Sequence, residues 1–166
     1  MSPSRAIADL GLDFTFGDDV DYANVRPARG ATITLQGSLR PTDHLSVNLN
    51  AGRRWLDVSP IGSGARNARL FTTDITHVKA TYNFTARSYL RVIAQRVQTD
   101  RDPSLYLALL PRREDAFTGS ALFAYKLNWQ TVLFLGYADN RDLSVDDRLE
   151  PSGRSLFLKV SYAFQR

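Results

Sequence analysis

The two histidines are the side chains in this sequence best suited to acid–base or nucleophilic chemistry. His44 lies in a short turn, where solvent is its expected neighbour, and His77 lies close to Asp74 and Lys79. A Ser/His/acid site needs a serine placed to meet the imidazole, and no spacing in the chain supplies one. The two histidines also lack the spacing of metal ligands. We therefore expect no enzyme, with no catalytic residue, metal site or cofactor-binding site.

Other charged and glycine-rich segments point to surface roles. The acidic groups Asp18, Asp19, Asp21 and Asp146–Asp147 could bind Ca²⁺ or bridged lipopolysaccharide, but they lack the spaced ligands of a calcium loop. The glycines at 62–64 form no phosphate-binding motif. The 21 Lys and Arg residues are dispersed among 17 Asp and Glu, so nucleic-acid binding is not expected. With no cysteine, disulfides and thiolate metal sites are excluded.

Alternation of apolar and polar residues dominates the elements that would carry any site. Near the C-terminus Leu156, Leu158, Val160 and Tyr162 alternate with Phe157, Lys159 and Ser161, a period of two that predicts a strand. The same period predicts eight strands, at residues 8–16, 31–40, 45–56, 70–84, 89–98, 117–128, 131–139 and 154–164. The parity changes within 70–84, which indicates either a β-bulge near Thr76 or an early half that lies above a membrane.

Connections between these strands alternate in length. Four are long, at 17–30, 57–69, 98–116 and 140–153, and three are short turns. In an up-and-down meander all long connections lie at one end of the sheet, which is the layout of outer-membrane barrels. We therefore predict one all-β domain over 1–166, an eight-stranded antiparallel up-and-down transmembrane β-barrel. Its last strand is expected to pair with the first near residues 10–16, unless the chain is a fragment of a larger barrel.

The two strand faces differ in character. One face is apolar and is assigned to lipid, with aromatic residues at both of its ends. The other is assigned to the lumen, which eight strands leave just wide enough for side chains. The predicted lumen-facing polar residues are Asp9, Asp13, Gln36, Asn48, Asn50, Arg54, Lys79, Arg91, Gln95, Lys126 and Lys159. The predicted aromatic girdle consists of Phe16, Trp55, Tyr82, Phe84, Tyr89, Trp129, Tyr137, Tyr162 and Phe164.

The C-terminal half has a family resemblance. The stretches at 82–95, 123–140 and 155–164 resemble the C-terminal barrel of an uncharacterised bacterial family whose N-terminal domain is similar to family 9 carbohydrate-binding modules. The resemblance implies an outer-membrane location and carries over no site. Since such proteins are much longer, this chain is either a short barrel or the C-terminal part of a larger one. The SYAF ending resembles the signal read by the barrel-assembly machinery, but Gln165 and Arg166 follow it.

Three functions remain open at this stage. The first is an integral outer-membrane anchor or structural platform, whose loops, chiefly 98–116, contact a protein partner or glycans. The alternative is a passive channel or transport component of a wider or oligomeric barrel, and the second alternative is a soluble eight-stranded ligand-binding barrel. Expected partners are membrane lipid, lipopolysaccharide and the barrel-assembly machinery. The N-terminal residues lack the apolar core of a signal peptide, so an exported form would have lost it.

Overall fold

Eight antiparallel strands form one sheet in the computed structural model, which describes residues 7–59, 68–144 and 146–164. The strands lie in chain order, each paired with the next, so the predicted up-and-down meander is confirmed. Among the described residues the helical structure is one 3-10 turn at Pro103–Leu105. The strands are β1 (Ile7–Asp21), β2 (Arg26–Thr42), β3 (Leu45–Val58), β4 (Ala68–Thr85), β5 (Ser88–Arg101), β6 (Arg113–Lys126), β7 (Thr131–Leu143) and β8 (Leu149–Tyr162).

The sheet is open. β1 and β8 are its two edges, and the pairing between them that a closed barrel requires is not formed. The expectation that the last strand of the chain pairs with its own first strand is therefore wrong. Side chains of β8 are exposed on both faces along almost the whole strand, and so are those of β1 from Asp9 to Asp18. Both edges therefore keep unpaired backbone N–H and C=O groups along the sheet.

Two of the four predicted long loops are mostly strand. β1 and β2 continue to a turn of four residues, 22–25, and β7 and β8 continue to residues 143 and 149. The polar residues there still alternate and pair across the ladder, as Asp18 does with Arg29, so pairing continues beyond the last apolar residues. In the second long loop, residues 60–67, including the glycines at 62–64, lie outside the described residues, as do 165–166.

The irregular strand β4 contains no bulge near Thr76. Its register runs without a shift from Phe71 to Tyr82 with β3 and from Phe71 to Asn83 with β5. Ile75 therefore lies on the same face as His77 and Lys79, among polar residues. The register shift between β3 and β4 lies nearer the long-connection end, opposite Leu56 and Asp57, where Leu70 is the unpaired extra residue.

The register brings nearly all apolar positions to one face of the sheet. Directly opposed residues share a face, so each row across the sheet can be followed from β1 to β8. We call the face that carries most apolar residues the apolar face, and the opposite one the polar face. One row of directly opposed residues on the apolar face is Leu12, Leu35, Ala51, Thr76, Arg96 and Phe117.

The buried hydrophobic core is small and lies at one end of the sheet. Ala28, Leu56, Val58 and Leu70 form it at the end where the long connections are, with Phe71, Leu105 and Tyr106 packed against them. Ala28 and Leu56 belong to the polar face by their register. The buried hydrophobic cluster of the described sheet thus lies on its polar side, and the larger apolar face has no covering layer among the described residues.

Candidate functional site: the two faces of the sheet

A belt of ion pairs crosses the apolar face near its long-loop end. In each of the four hairpins joined by a long connection, one pair or cluster lies nearest the apolar residues: Asp18 with Arg29, Arg53 with Asp74, Arg96 with Asp115, and Asp139 with Arg141 and Arg154. All eight strands contribute one member or more. We call this set the ion-pair belt. Most apolar residues of this face lie between the belt and the short turns, and Val20, Trp55 and Leu143 lie beyond it.

Burial within the belt varies along the sheet. The Asp115 side chain is 1% exposed, and the Arg96 guanidinium meets its two carboxylate oxygens at 2.9 and 2.5 Å. By contrast, Asp18 and Arg29 are 96% and 76% exposed and lie 3.8 Å apart. A bidentate pair with a buried carboxylate holds two strands together, whereas an exposed pair at this distance contributes little. The strong link is therefore between β5 and β6.

Between the belt and the short turns the apolar face is continuous and open. On β1, the side chains of Leu10, Leu12 and Phe16 are 68%, 74% and 76% exposed. On β8, Leu156 and Leu158 are similarly uncovered, at 73% and 67%. An apolar surface that crosses eight strands is far larger than the few hundred square ångströms that soluble monomers usually leave exposed. Exposed apolar surfaces of this kind usually mark a site of contact with a protein, a ligand or a membrane.

Most of the predicted girdle lies on or beside the apolar face. At the short-turn end Tyr82 meets Phe84 edge-on at 4.9 Å, and Tyr162 meets Phe164 at 4.7 Å. Phe16 and Trp55 share a row with Ala31 near the belt. The remaining positions follow. Tyr137 lies on the apolar face beside Asp139, and Trp129 lies in the β6–β7 turn.

Tyr89 does not belong with these aromatic residues. Its register partners are Asn83 and Ala124, so it lies on the polar face. There the Arg91 guanidinium lies 5.5 Å from the centre of its ring. Tyr89 therefore lies on the opposite face of the sheet from Tyr82, and its place in an aromatic girdle stays a prediction. Its neighbour Leu90 lies on the apolar face instead.

The polar face brings together all eleven residues predicted to face the lumen. Asn50, His77 and Gln95 are direct neighbours across β3, β4 and β5, and Asn48 and Lys79 form the next row. Asp9, Asp13 and Gln36 lie at the β1–β2 side, and Lys159 at the β8 edge. One complete row has a side-chain amide, imidazole or hydroxyl on six consecutive strands: Gln36, Asn50, His77, Gln95, Thr118 and Asn140.

Charges on the polar face are divided by height. Near the long-loop end they are paired: Arg54 with Asp19 at 2.9 Å, and Arg101 with Glu114 at 2.9 Å. Gly30 leaves room for the first of these, since a Cβ there would lie 2.5 Å from an Asp19 oxygen. Nearer the short turns the described cations have no ion-pair partner. They are Lys79, Arg91, Lys126 and Lys159.

The β5–β6 connection folds back over the polar face and is held there. Asn24 and Arg26, beside the β1–β2 turn, donate to the Leu105 carbonyl at 3.3 and 2.7 Å, and the Leu107 N–H donates to the Asn24 side-chain oxygen at 3.0 Å. Asp21 pairs with Arg26 at 2.8 Å. We call Asp21, Asn24 and Arg26 with Leu105 and Leu107 the clasp. The clasp joins the β1–β2 hairpin to the β5–β6 hairpin, although the β3–β4 hairpin lies between them in the sheet.

Asp21 is the buried charge of the clasp and is 2% exposed. Burial alone would raise the pKa of its carboxyl, but hydrogen bonds from Asn24 and Arg26 outweigh burial and hold that pKa below its usual range. In the same connection, burial raises the pKa of the Tyr106 hydroxyl. The clasp is therefore assembled around an ionised aspartate.

The histidines are not part of an acid–base constellation in the described residues. Asp74 lies on the opposite face from His77 and is bound by Arg53. His44 lies in the β2–β3 turn with its Nδ1 atom 2.9 Å from the Asn83 carbonyl. In the described parts of the chain no three metal-ligating side chains come together. Asp18, Asp19 and Asp21 are separated, because Asp18 lies on the apolar face and the other two on the polar face.

Sequence reasoning missed the belt and the clasp. Both depend on which residues of different strands and loops lie opposite one another, and the sequence alone does not give that register. A signal for the belt was present, since Arg53, Asp74, Arg96 and Asp139 occupy apolar-parity positions at similar distances from a short turn. The clasp left no comparable pattern, because 79 residues separate Arg26 from Leu105.

Comparisons with known proteins identify no family for this chain. No described helix is long and apolar enough to cross a membrane. No protein-family model matches the chain, and no curated protein or solved structure matches it significantly. The resemblance of residues 82–95, 123–140 and 155–164 to a bacterial barrel family stays a prediction.

Proposed function

We propose that this chain is part of an integral bacterial outer-membrane β-barrel wall, which serves as a membrane anchor and structural platform. The observation that carries the proposal is the single uncovered apolar face, bounded by the ion-pair belt at one end and by aromatic residues at the other. In this arrangement the apolar face meets lipid and the polar face lines the interior. The long hairpins then lie outside the cell and the short turns in the periplasm.

The height of the apolar face supports this proposal. On β3 it runs from Leu45 to Arg53, and on β8 from Arg154 to Tyr162, nine residues in each case. At about 3.3 Å per residue and a tilt of about 40°, nine residues rise about 23 Å, close to the apolar band of outer-membrane barrels. Arg53 and Arg154 stand at the upper end of that height, where their side chains can extend among the lipid headgroups to water.

The side on which the sheet is covered argues against a soluble ligand-binding barrel. Such a barrel encloses its apolar face around the ligand and exposes the polar one. Here the β5–β6 connection covers part of the polar face, and Leu105 and Tyr106 pack on that side. The apolar face stays open along all eight strands.

The platform role follows from the exposed tip of the same connection. Leu107 and Leu109 are 84% and 105% exposed next to the clasp, which fixes the adjacent backbone. An apolar tip on an anchored outer segment is suited to contact a protein partner or a glycan ring face. Lipopolysaccharide is a further candidate contact for the arginines of the belt.

Detergent dependence tests the membrane assignment. The purified chain should fold only with detergent or lipid, with β-rich circular dichroism, and should migrate differently in gels before and after boiling. The matched control is the same chain in plain buffer, where it should aggregate. A chain that stays folded and soluble in plain buffer would overturn the proposal.

A passive channel is the second candidate, and the unpaired cations favour it. Lys79, Arg91, Lys126 and Lys159 have no acidic partner among the described residues, so a pore lined by this face would attract anions. Single-channel recording under a salt gradient should then give a reversal potential of anion selectivity. Lys126→Glu should shift that potential toward cations, and a steady absence of conductance would leave the platform as the better description.

A further inference from the structure

The two open edges of the sheet are complementary to each other. β1 runs from the short-turn end to the long-loop end, and β8 runs the opposite way, so the two edges can pair antiparallel. Both expose apolar residues on the apolar face: Leu10, Leu12, Phe14 and Phe16 on β1, and Leu156, Leu158, Val160 and Tyr162 on β8. Unpaired edges do not persist in a bilayer core, because their backbone groups have no water to bind.

The polar side of each edge carries the opposite charge. β1 presents Asp9 and Asp13 there, and β8 presents Lys159. If the short-turn ends are level, with Leu10 opposite Tyr162, then Asp13 falls directly opposite Lys159. A shift of two residues in either direction still leaves an aspartate diagonal to the lysine, within reach of its long side chain. None of these three groups has an ion-pair partner in the described sheet.

The space beside the polar face indicates which copy of β1 meets β8. A closed ring of eight strands has an interior just wide enough for side chains. This polar face already carries Arg91, Phe134 and Phe157, and the clasp adds backbone from Leu105 to Leu107 at its long-loop end. Two copies of the sheet form a ring of sixteen strands, which leaves an open interior of the kind that porins have.

We propose that the β8 edge binds the β1 edge of a second copy of this chain, with Lys159 beside Asp13, so that two copies close one barrel. A twofold axis along the barrel relates the copies, and each seam is antiparallel, so the ring closes with no edge left. The inference rests on the proposed membrane function, because the bilayer is what requires the edges to pair. The match of charged and apolar residues between the two edges is a separate observation.

Cysteine cross-linking tests the seam, and the absence of natural cysteines makes the readout clean. Chains that carry Asp13→Cys alone are folded in detergent together with chains that carry Lys159→Cys alone, and the mixture is oxidised. The expected product is a covalent dimer at twice the chain mass of 18.6 kDa, formed only in the mixture. Asp9→Cys, Gly11→Cys and Thr15→Cys scan the neighbouring registers. Ser120→Cys, on the polar face of β6, is the matched control and should not cross-link.

The double variant Asp13→Cys/Lys159→Cys separates the outcomes. Links between copies give dimers, whereas an internal bridge gives a compact monomer that migrates faster, and that result would overturn the proposal. The absence of cross-links at all four β1 positions would also overturn it. In chains without added cysteines, Lys159→Asp should reduce the fraction of non-covalent dimer in detergent, measured by particle mass, and Asp13→Lys in the same chain should restore it. The change in gel migration on boiling measures folding in detergent separately from cross-linking. A chain that folds in detergent but does not cross-link would therefore contradict the seam alone, and a chain that does not need detergent would contradict the membrane assignment.

Discussion

The guanidinium of Arg26 donates a hydrogen bond of 2.7 Å to the backbone carbonyl of Leu105, although 79 residues separate them in the chain. The same guanidinium binds Asp21 at 2.8 Å, so one side chain joins a buried carboxylate to a distant backbone. The β5–β6 connection is thereby held over the polar face rather than free at the edge of the sheet. This contact is where the first and third hairpins become one unit.

Removal of Arg26 should release the β5–β6 connection. Arg26→Ala breaks a charge-assisted hydrogen bond and leaves Asp21 buried without its cation, a local cost of about 1.5–3 kcal/mol. Hydrogen exchange at residues 102–112 should accelerate while the β3–β4 ladder stays protected. The matched control is Arg29→Ala, whose side chain is 76% exposed and 3.8 Å from its partner. Equal exchange in the two variants would mean that the clasp does not hold the connection.

The clasp should also open in acid. The pKa of Asp21 is lower in the folded chain than the ordinary value of about 3.9, because Asn24 and Arg26 stabilise its ionised form against the effect of burial. Its contribution is therefore fully present above pH 4 and is lost as the pH falls through the lowered pKa. Exchange at residues 102–112, corrected for intrinsic rates, should rise below pH 4. Asp21→Asn should abolish this pH dependence, and an unchanged profile in that variant would assign the effect to another group.

A charge on the apolar face should cost more than one on the polar face. Leu158→Arg places a guanidinium near the middle of the apolar height of β8, where lipid would surround it, and should cost about 2–4 kcal/mol in a bilayer. Ser155→Arg, on the polar face of the same strand, is the matched control and should cost little. Unfolding by denaturant in liposomes measures both free energies. A cost near zero for Leu158→Arg would mean that this face does not meet lipid.

The period of two predicted what depends on period alone. It placed eight strands in order and separated Leu158 from Lys159 correctly, because one residue of slip exchanges the faces of a strand. Residue type was a poorer guide than the period. Tyr89 looked like a girdle residue by type, yet its pairing with Asn83 places it on the polar face. Of the two explanations for the change of parity within 70–84, the β-bulge near Thr76 is absent, and Ile75 lies on the polar face.

Contacts between distant segments were beyond sequence reasoning. The hairpin ends at 17–30 and 140–153 read as loops because they contain Gly, Pro and Asp, although cross-strand pairs such as Asp18 with Arg29 continue the ladder there. Closure of the sheet was also misjudged, since alternation says which residues share a face and nothing about which edges meet. Composition likewise could not reveal that Asp115 is buried against Arg96.

The belt pair with the buried carboxylate should dominate the stability of the belt. Arg96→Met keeps much of the side-chain volume but leaves Asp115, which is 1% exposed, without its bidentate partner. We expect a loss of about 1–3 kcal/mol, less than for a fully buried pair because Arg96 itself is half exposed. Arg29→Met removes the exposed pair at the β1–β2 hairpin and should change stability by less than about 0.5 kcal/mol. Equal losses in denaturant titrations would contradict this ranking.

Gly136 on β7 should tolerate no side chain while Phe157 keeps its position. The two residues are opposed across β7 and β8 on the polar face, and a Cβ on Gly136 would lie 2.1 Å from the Phe157 ring. Gly136→Ala therefore forces the ring into another rotamer, at an expected cost of about 1–3 kcal/mol, which exceeds the small gain from a stiffer backbone.

A double-mutant cycle identifies the ring as the cause of that loss. Phe157→Ser removes the ring, so Gly136→Ala added to it should cost nothing or stabilise slightly, and the coupling between the two changes should be close to the whole single-mutant cost. Gly11→Ala is the matched control on β1, because nothing lies within 4 Å of a Cβ there. If Gly136→Ala and Gly11→Ala have the same free energy of unfolding, then the Phe157 ring does not cover Gly136 in the folded chain. The β7–β8 register that places Phe157 opposite Gly136 would then be different.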